Sequence, residues 1–311
     1  MNKYTGFSDL CIPEANTAAL KPIIAEAIEL GYRNVAIEQT FDASNPAVIN
    51  KKQDVPKPYN LKELRDNFGG QIRLLNRLTV VFEDASVSLV LNKSTNVRGY
   101  DLIAALPTRE ASLQYACQTL ACDIITYNQN AQWIKLHRKF YYLAVERNIA
   151  FEIKYAPAIV DSTERKATIT RAHRYHFYGK SKNVLISSGA KNAFELRSPY
   201  DIANLGLIFG LSEEQSKRAV RDVPNKILLA AEGRRFGKAG VILRKRKEND
   251  MDSDDYSGSE LEEEISDVEE DSVTDAVDAM DVTAIDNDEE VDDLVDMQPP
   301  KKMKKKADAQ K

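Results

Sequence analysis

The chain has 311 residues and a formal net charge of −5, but this average combines two segments of opposite charge. Residues 1–249 contain 37 Lys and Arg against 25 Asp and Glu, a net charge of +12. Residues 250–311 contain 6 Lys against 23 Asp and Glu, a net charge of −17. The overall charge therefore describes neither segment, and the basic one is long enough to bury one large hydrophobic core or two small ones.

The composition argues against several classes of protein. No apolar run approaches the roughly 18 residues of a membrane-spanning helix. The first ten residues are polar and lack the apolar core of a signal peptide. Three cysteines without a close CxxC pair argue against a disulfide framework and against a zinc ribbon. Only three histidines are present, so histidine-based catalysis or metal binding has few candidate ligands.

Short apolar runs alternate with amphipathic stretches along the basic segment. The runs predict strands at 7–12, 34–38, 78–83, 100–106, 123–126, 151–155 and 183–187. The stretches between them predict helices at 17–30, 60–68, from 86 onward, 108–121, 136–147 and 162–178. Further helices are predicted after the last strand, at 199–209, 212–220 and 225–234.

This alternation predicts an α/β fold with parallel strands joined by right-handed crossovers. A barrel and an open doubly wound sheet share the same element order. Seven units within about 190 residues favour a TIM-like (β/α) barrel with about seven parallel strands. No GxGxxG follows the first strand, so a Rossmann dinucleotide site is not expected. We assign residues 1–240 to the barrel domain.

Residues 241–311 are predicted to be a disordered acidic tail. Between Asp250 and Asp296 there are 22 acidic residues and no Lys or Arg, so this stretch cannot bury enough apolar surface to offset chain entropy. The tail ends in a lysine cluster that indicates nuclear import, with a solubilising charge run as the alternative. The cluster consists of Lys301, Lys302, Lys304, Lys305 and Lys306.

Chemistry in a TIM barrel is placed at the carboxyl ends of the strands. Asp9, Glu38 and Glu83 lie at three such ends, and together they offer the ligands of a hard cation such as Mg²⁺ in a metal-dependent phosphoesterase. Strand-end carboxylates also commonly cap neighbouring helices, which is the interpretation we favour. No strand end supplies a histidine, and the GxSxG, HExxH and P-loop motifs are absent. We therefore predict no catalytic residue, metal or cofactor.

The positive charge is concentrated in two clusters. The first lies on the helix predicted at 162–178 and its exit, where Tyr175, Phe177 and Tyr178 are interleaved with cations, and the second spans 234–247. Cations contact phosphates and aromatic rings stack on bases, so the pattern indicates a nucleic-acid-binding surface. A solvated helix face with its aromatic residues anchored in the core is the alternative.

Several segments in a fixed order carry a family resemblance over roughly residues 7–235. They are Phe7-Ser-Asp-Leu-Cys-Ile-Pro13, Gly31-Tyr-Arg-Asn-Val-Ala-Ile-Glu38, Tyr100-Asp-Leu-Ile-Ala-Ala-Leu-Pro107, Ile186-Ser-Ser-Gly-Ala190, Leu196-Arg-Ser-Pro-Tyr-Asp-Ile-Ala-Asn-Leu-Gly206, Gly210-Leu-Ser-Glu-Glu-Gln215 and Val223-Pro224. Together they resemble the thirty-kilodalton protein subunit of ribonuclease P and ribonuclease MRP. The resemblance implies a barrel related to the polymerase and histidinol phosphatase hydrolases, which end their first strand in a His-x-His pair. Cys11 and Pro13 stand at those positions here, so the resemblance implies that this metal site is lost.

The resemblance further implies a non-catalytic scaffold in ribonucleoproteins whose RNA subunit carries out phosphodiester hydrolysis. Such particles remove tRNA 5′ leaders as ribonuclease P and process pre-rRNA as ribonuclease MRP. The implied partners are the ribonuclease P and MRP RNAs, a small ferredoxin-like subunit, other subunits of the particle and, indirectly, precursor tRNA. No membrane is involved, and we expect the chain in the nucleus, specifically the nucleolus.

Two positions keep alternative interpretations within this framework. The Gly189 turn can bring backbone close to a phosphate or simply connect a strand to a helix. Arg197 can contact RNA or cap a neighbouring helix. The predicted RNA-binding residues are Arg109, Lys154, Arg165, Lys166, Arg171, Arg174, Lys180, Lys182, Lys191, Arg197, Arg234 and Arg235.

Overall fold

A computed structural model describes residues 4–45, 48, 54–127 and 134–236 of the chain. Seven strands in these ranges form one sheet in which each strand pairs in parallel with the next. The strands are β1 Phe7–Pro13, β2 Tyr32–Asp42, β3 Arg73–Phe82, β4 Leu102–Pro107, β5 Ile124–Ile125, β6 Ala150–Lys154 and β7 Val184–Ser187.

Helices follow the strands on the outside of the sheet. Those between strands are α1 Thr17–Glu29, α2 Lys62–Phe68, α3 Val87–Lys93, α4 Glu110–Gln118, α5 Arg138–Glu146, α6 Ala156–Val160 and α7 Ser162–Gly179. Those after β7 are α8 Pro199–Ile208, α9 Glu213–Val220 and α10 Asp222–Phe236. Two short 3₁₀ helices span Asn96–Gly99 and Ala193–Glu195. Asn16 caps α1 and Asp161 caps α7 by accepting hydrogen bonds from backbone N–H groups of the first turn.

The last strand returns to the first, so the sheet is a nearly closed barrel. The Gly189 N–H, just after β7, donates to the carbonyl of Cys11 in β1 at 2.8 Å. The neighbouring Ser188 hydroxyl donates to the same carbonyl at 3.2 Å. An open doubly wound sheet would leave β1 and β7 apart. The predicted TIM-like barrel of seven parallel strands is therefore confirmed.

Two apolar layers lie on the two faces of the barrel wall. The outer layer packs the strands against the helices and includes Ile24, Ile37 and Tyr141. The inner layer fills the amino half of the barrel and consists of small and medium apolar side chains from every strand, including Leu10 and Leu75. Helix α10 contributes Ile227, Leu228 and Ala231 to this layer, so it closes the amino end of the barrel.

The observed boundaries differ most where polar residues interrupt an apolar run. Strand β3 begins at Arg73, five residues before the predicted start, because Asn76 and Arg77 conceal its alternation in the sequence. Helix α4 begins at Glu110 instead of 108. The hydroxyl of Thr108 donates to the carbonyl of Phe82 at 3.1 Å and is not positioned as a helix cap.

Other sequence predictions concern residues beyond these ranges. The predicted acidic tail, 241–311, and its import lysines lie outside the described residues, so they stay predictions, as does the domain boundary at 240. Within the described ranges, no helix combines the length and the apolar character needed to cross a membrane.

Candidate nucleic-acid interface

Charged side chains fill the carboxyl half of the barrel interior. Side chains two positions apart on a strand share a face. Glu38, Arg77 and Glu152 each stand two residues after an inward-facing apolar residue, and they therefore also point inward. Arg77 and Glu152 are completely buried, and Glu38 is 7% exposed. This polar layer occupies the end of the barrel where enzymes of this fold carry their active sites.

Arg77 is the centre of the polar layer. Its Nη1 lies 2.5 Å from Oε1 of Glu152, and its Nη2 lies 2.7 Å from Oε2 of the same carboxylate. Nη2 is also 3.1 Å from Oε1 of Glu38, and Nη1 donates to the carbonyl of Leu10 at 2.8 Å. One guanidinium thus joins β1, β2, β3 and β6. Buried ions are tolerated only when paired and hydrogen-bonded in this way.

Lys154 supplies a second cation to the same layer. Its Nζ lies 3.4 Å from Oε1 of Glu38 and 3.9 Å from Oε2 of Glu152. Burial by itself would raise the pKa of Glu38, but the cations of Arg77 and Lys154 outweigh it and lower that pKa to about 2. The layer therefore holds two cations opposite two ionised carboxylates. The negative charge of Glu38 is balanced by Arg77 and Lys154, so this carboxylate is a poor ligand for a metal ion.

Asp9 links the first and last strands beside this layer. Its Oδ1 accepts hydrogen bonds from the backbone N–H of Ser188 at 3.0 Å and of Cys11 at 3.2 Å, while its Oδ2 is buried without a hydrogen-bond partner. Burial raises the pKa of Asp9 to about 6, although the hydrogen bonds from Ser188 and Cys11 partly oppose the shift.

The structure does not assemble the carboxylates considered for a cation site. We had favoured helix capping for these strand-end carboxylates. Instead, Glu38 is paired with two cations, and Asp9 accepts hydrogen bonds from backbone N–H groups at the junction of β1 and β7. Glu83 lies on the surface, 2.7 Å from Nη2 of Arg109. Within the described part of the chain, no group of three or more His, Cys, Asp or Glu is arranged to hold a metal ion. The phosphoesterase alternative loses its geometric basis.

The predicted contacts on α7 and directly after it lie on the outside of the barrel, but their side chains differ in what they bind. The guanidinium of Arg165 donates to the carbonyls of Ala158 and Ile159 and closes the end of α6. The guanidinium carbon of Arg171 lies 3.2 Å from the centre of the Tyr127 ring. Arg174 is partly buried, whereas Lys166, Lys180 and Lys182 are exposed.

The predicted contacts elsewhere have more varied surroundings. Lys191 is exposed on the turn after β7. The guanidinium of Arg197 donates to the carbonyls of Phe194 and Leu196 in that turn. Lys154 is 9% exposed and paired inside the barrel. Its position argues against a phosphate contact by its side chain, whereas Lys191 remains accessible.

Arg234 and Arg235 lie at the opposite end of the barrel. Arg234 forms a forked pair with Asp123, with Nε to Oδ1 at 3.1 Å and Nη2 to Oδ2 at 2.8 Å. Arg235 pairs with Asp101. These two carboxylates precede β5 and β4, so the arginines fasten α10 to the amino end of the barrel. The rest of the second basic cluster lies outside the described residues.

The aromatic residues of the basic helix divide between the two interpretations of that segment. Tyr175 is buried in a group of rings, 5.2 Å from Phe151 and 6.2 Å from Tyr141 between ring centroids. Tyr178 packs partly against the core. Phe177 is 74% exposed. The core-anchor interpretation therefore fits two of the three rings, and Phe177 presents its ring to solvent.

Comparison with known proteins places this architecture in a family. Residues 6–236 match the family described as RNase P subunit p30. The chain belongs to the RNase P subunit p30 family. The mouse ribonuclease P protein subunit p30 is 34% identical over 265 residues, which cover 81% of this chain and 95% of the mouse protein.

A more distant relative and a solved structure also resemble this chain. The Saccharomyces cerevisiae ribonuclease P/MRP protein subunit RPP1 is 26% identical over 205 residues, covering 64% of this chain and 68% of the yeast protein. A chain in a cryo-electron-microscopy structure of archaeal ribonuclease P with mature tRNA superposes with a TM-score of 0.57 at 14% identity. That match covers 77% of this chain and 100% of the archaeal one, and it supports the shared fold.

Several of the segments that carry the p30 resemblance lie at or near the junction of β1 and β7. Gly189 has φ of +63°, and a Cβ there would lie 3.3 Å from Cδ of Lys154. The N–H of Gly189 donates a hydrogen bond to the carbonyl of Cys11, so it is not available to a phosphate, and the tight-turn interpretation is favoured. In the next segment, the carbonyl of Arg197 accepts from Tyr32 and its N–H donates to Tyr155. These segments therefore contribute contacts that close the barrel.

The pair Arg77 and Glu152 was not among the candidate site residues. A weak signal existed, because each is a charged residue within a buried strand: β3 contains Arg73 and Arg77, and β6 contains Glu152 and Lys154. Nothing in the sequence connects the two, however, since they lie 75 positions apart. Their pairing across the p30-family barrel became visible only in the folded chain.

Proposed function

We propose that this chain is a protein subunit of the ribonuclease P and ribonuclease MRP ribonucleoproteins. The observation that carries the proposal is the match of residues 6–236 to the p30 family. The name of the mouse relative supports the role in ribonuclease P, and the name of the yeast relative supports it in both particles. Such a subunit acts in tRNA 5′-leader removal and in pre-rRNA processing.

The chain acts as a scaffold and supplies no catalytic group. Support comes from the carboxyl end of the barrel, where Arg77 and Lys154 neutralise the carboxylates that a metal ion would need. The chemistry is then carried by the RNA subunit of the particle. Purified chain with Mg²⁺ should not hydrolyse a generic phosphodiester or precursor tRNA, and hydrolysis that is lost in Asp9→Ala would contradict this part of the proposal.

The partners of the chain are the ribonuclease P and MRP RNAs, a small ferredoxin-like subunit and other proteins of the particle. Precursor tRNA is reached indirectly. Support for direct RNA contact comes from the exposed cations Lys166, Lys180, Lys182 and Lys191 and from the net charge of +12 over residues 1–249.

Recovery of RNA with the tagged full chain tests the central proposal. A pull-down from an extract of the source cells should enrich the ribonuclease P or MRP RNA over abundant RNAs such as 5S rRNA. Recovery of neither RNA, from an extract in which ribonuclease P activity is intact, would contradict it. A parallel pull-down with an unrelated tagged basic protein controls for non-specific phosphate binding.

The chain works in the nucleus, and in the nucleolus as part of the MRP particle. The basis is the lysine cluster, Lys301, Lys302, Lys304, Lys305 and Lys306, in the predicted tail. Replacing these five residues by Ala should lower nuclear accumulation measured by microscopy. Unchanged localisation together with lower solubility would favour the solubilising interpretation instead.

A further inference from the structure

We propose that Phe177 is a stacking platform for an unpaired nucleobase of bound RNA, with cations of α7 and of the residues directly after it contacting the adjoining phosphates. This inference rests on the proposed function, because it names the part of the chain that meets the RNA. It concerns the outer face of α7 around Phe177 and the exposed Lys180 that follows the helix.

The fold does not account for the position of Phe177. Its side chain is 74% exposed, while Tyr175 and Tyr178 of the same helix pack against the barrel. The ring of Tyr178 contacts that of Phe177 in an edge-to-face arrangement, with centroids 5.0 Å apart. This contact restricts the Phe177 ring while leaving most of it open to solvent. A restrained, exposed ring is suited to stacking.

The charge around Phe177 favours RNA. Residues three or four positions apart lie about 6 Å apart on a helix surface, which places Arg174 next to Phe177. The exposed Lys180 follows directly after the end of the helix. The one acidic residue within α7 is Glu164, which lies 13 positions away, about 20 Å along the helix axis. An aromatic ring among cations provides both groups that single-stranded RNA needs, a base partner and phosphate partners.

A second exposed ring, Phe194, serves as a control, because its neighbouring cation Lys191 shares the turn with the carboxylate of Glu195. Phe194 is 91% exposed on the turn after β7. It precedes an acidic residue, Glu195, and the nearby guanidinium of Arg197 is bound to backbone carbonyls. Phe194 is therefore expected to contribute little to RNA binding despite its greater exposure.

Exposed aliphatic residues near α7 suggest the alternative partner, a protein. Leu207 and Ile208 are 50% and 59% exposed at the end of α8. This end lies near the basic helix, because a Cβ on Gly210 would lie 3.0 Å from the His173 ring. Aliphatic side chains do not stack on bases, so these residues suit a protein partner. The ring and its cations favour RNA as the partner at Phe177.

The test compares RNA affinities of the full chain and three variants, using a fluorescently labelled single-stranded RNA of mixed sequence. Phe177→Ala should weaken binding about 5- to 100-fold, as expected for loss of one base stack, with the salt dependence unchanged because no charge is removed. Phe177→Trp should stay within about 2-fold of the wild type, as should Phe194→Ala. Unfolding midpoints of all variants should match the wild type, since both rings are exposed.

Several results would overturn the inference. Unchanged affinity in Phe177→Ala, or an equal loss in Phe194→Ala, would remove the platform while leaving the proposed function intact. Loss of a protein subunit from the particle in Phe177→Ala, with RNA affinity unchanged, would assign the ring to a protein contact. Failure of the wild-type chain both to bind the probe and to recover either particle RNA would contradict the proposed function as well.

Discussion

The positive charges inside the barrel and those on the outside of α7 have opposite physical roles. Inside, Arg77 and Lys154 are removed from water, and each has a carboxylate within 4 Å. Outside, Lys166 and Lys180 are exposed to solvent. A desolvated cation requires a fixed partner, whereas a solvated one keeps its charge available for phosphate. The net charge of the basic segment therefore does not show which of its cations can contact RNA.

Arg234 lies between these two extremes. Its side chain is 22% exposed, and both of its bonds to Asp123 are made by a guanidinium at the amino end of the barrel. It was predicted as an RNA contact together with the cations of α7. Because Arg234 is partly buried and paired with Asp123, we expect it to contribute more to the stability of the fold than the exposed lysines on and directly after α7 do.

The largest expected loss of stability follows from a substitution in the barrel interior. Arg77→Leu leaves the buried carboxylates of Glu152 and Glu38 without their main cation, so the free energy of unfolding should fall by about 3–5 kcal/mol in urea titrations. The double variant Arg77→Leu/Glu152→Leu removes both charges and should recover part of the loss. A single variant that unfolds like the wild type would contradict a structural role for the interior cations.

Asp9 should produce the next largest effect, as a dependence of stability on pH. Its folded-state pKa, about 6, lies above its ordinary value of 3.8. The stability contributed by the protonated carboxyl is therefore complete below pH 3.8 and is lost as the pH rises through 6, a change of up to about 3 kcal/mol.

Asp9→Asn isolates this contribution, because the amide oxygen can still accept from Ser188 and Cys11 but does not titrate. The difference in unfolding free energy between the variant and the wild type should grow in favour of the variant between pH 4 and 7. The same comparison cancels the opposite trend of Glu38, whose pKa is lowered. A constant difference over this range would contradict a raised pKa at Asp9.

Arg234→Ala should have a smaller effect on stability. Loss of the forked pair with Asp123 should cost about 1–2 kcal/mol in urea titrations, reduced by its partial exposure. RNA affinity at moderate salt should change by less than about 2-fold, since the guanidinium is engaged at the amino end. A large loss of affinity without loss of stability would return Arg234 to the RNA-binding set.

The smallest effect on stability is expected outside the barrel. Lys166→Ala should change the free energy of unfolding by less than about 0.5 kcal/mol. It should lower the slope of log affinity against log salt by about one, as for the loss of one phosphate contact. Lys21→Ala is the matched control, because Lys21 pairs with Glu63 on another side of the barrel wall. An equal change in both variants would indicate a non-specific charge effect.

Much of the fold could be predicted from local patterns. Apolar runs such as that of β6, Ala150–Lys154, and the helical spacing in α1, Thr17–Glu29, gave elements within a few residues of those observed. The start of β3 was missed because Asn76 and Arg77 are polar, although they lie within a strand. The candidate site was less predictable, since exposure separates Lys166 from Lys154 and two lysines look alike in a sequence.

The sequence by itself determined the order of strands and helices, the separation of positive from negative charge, and the family. These follow from side-chain periodicity, composition and short segments, all of which are local. Only the tertiary structure decided that Arg77 meets Glu152, that Asp9 joins the two ends of the sheet, and that Phe177 faces solvent. The physical reason is that strand alternation fixes which side chains point inward, whereas closure of the barrel fixes which of them meet.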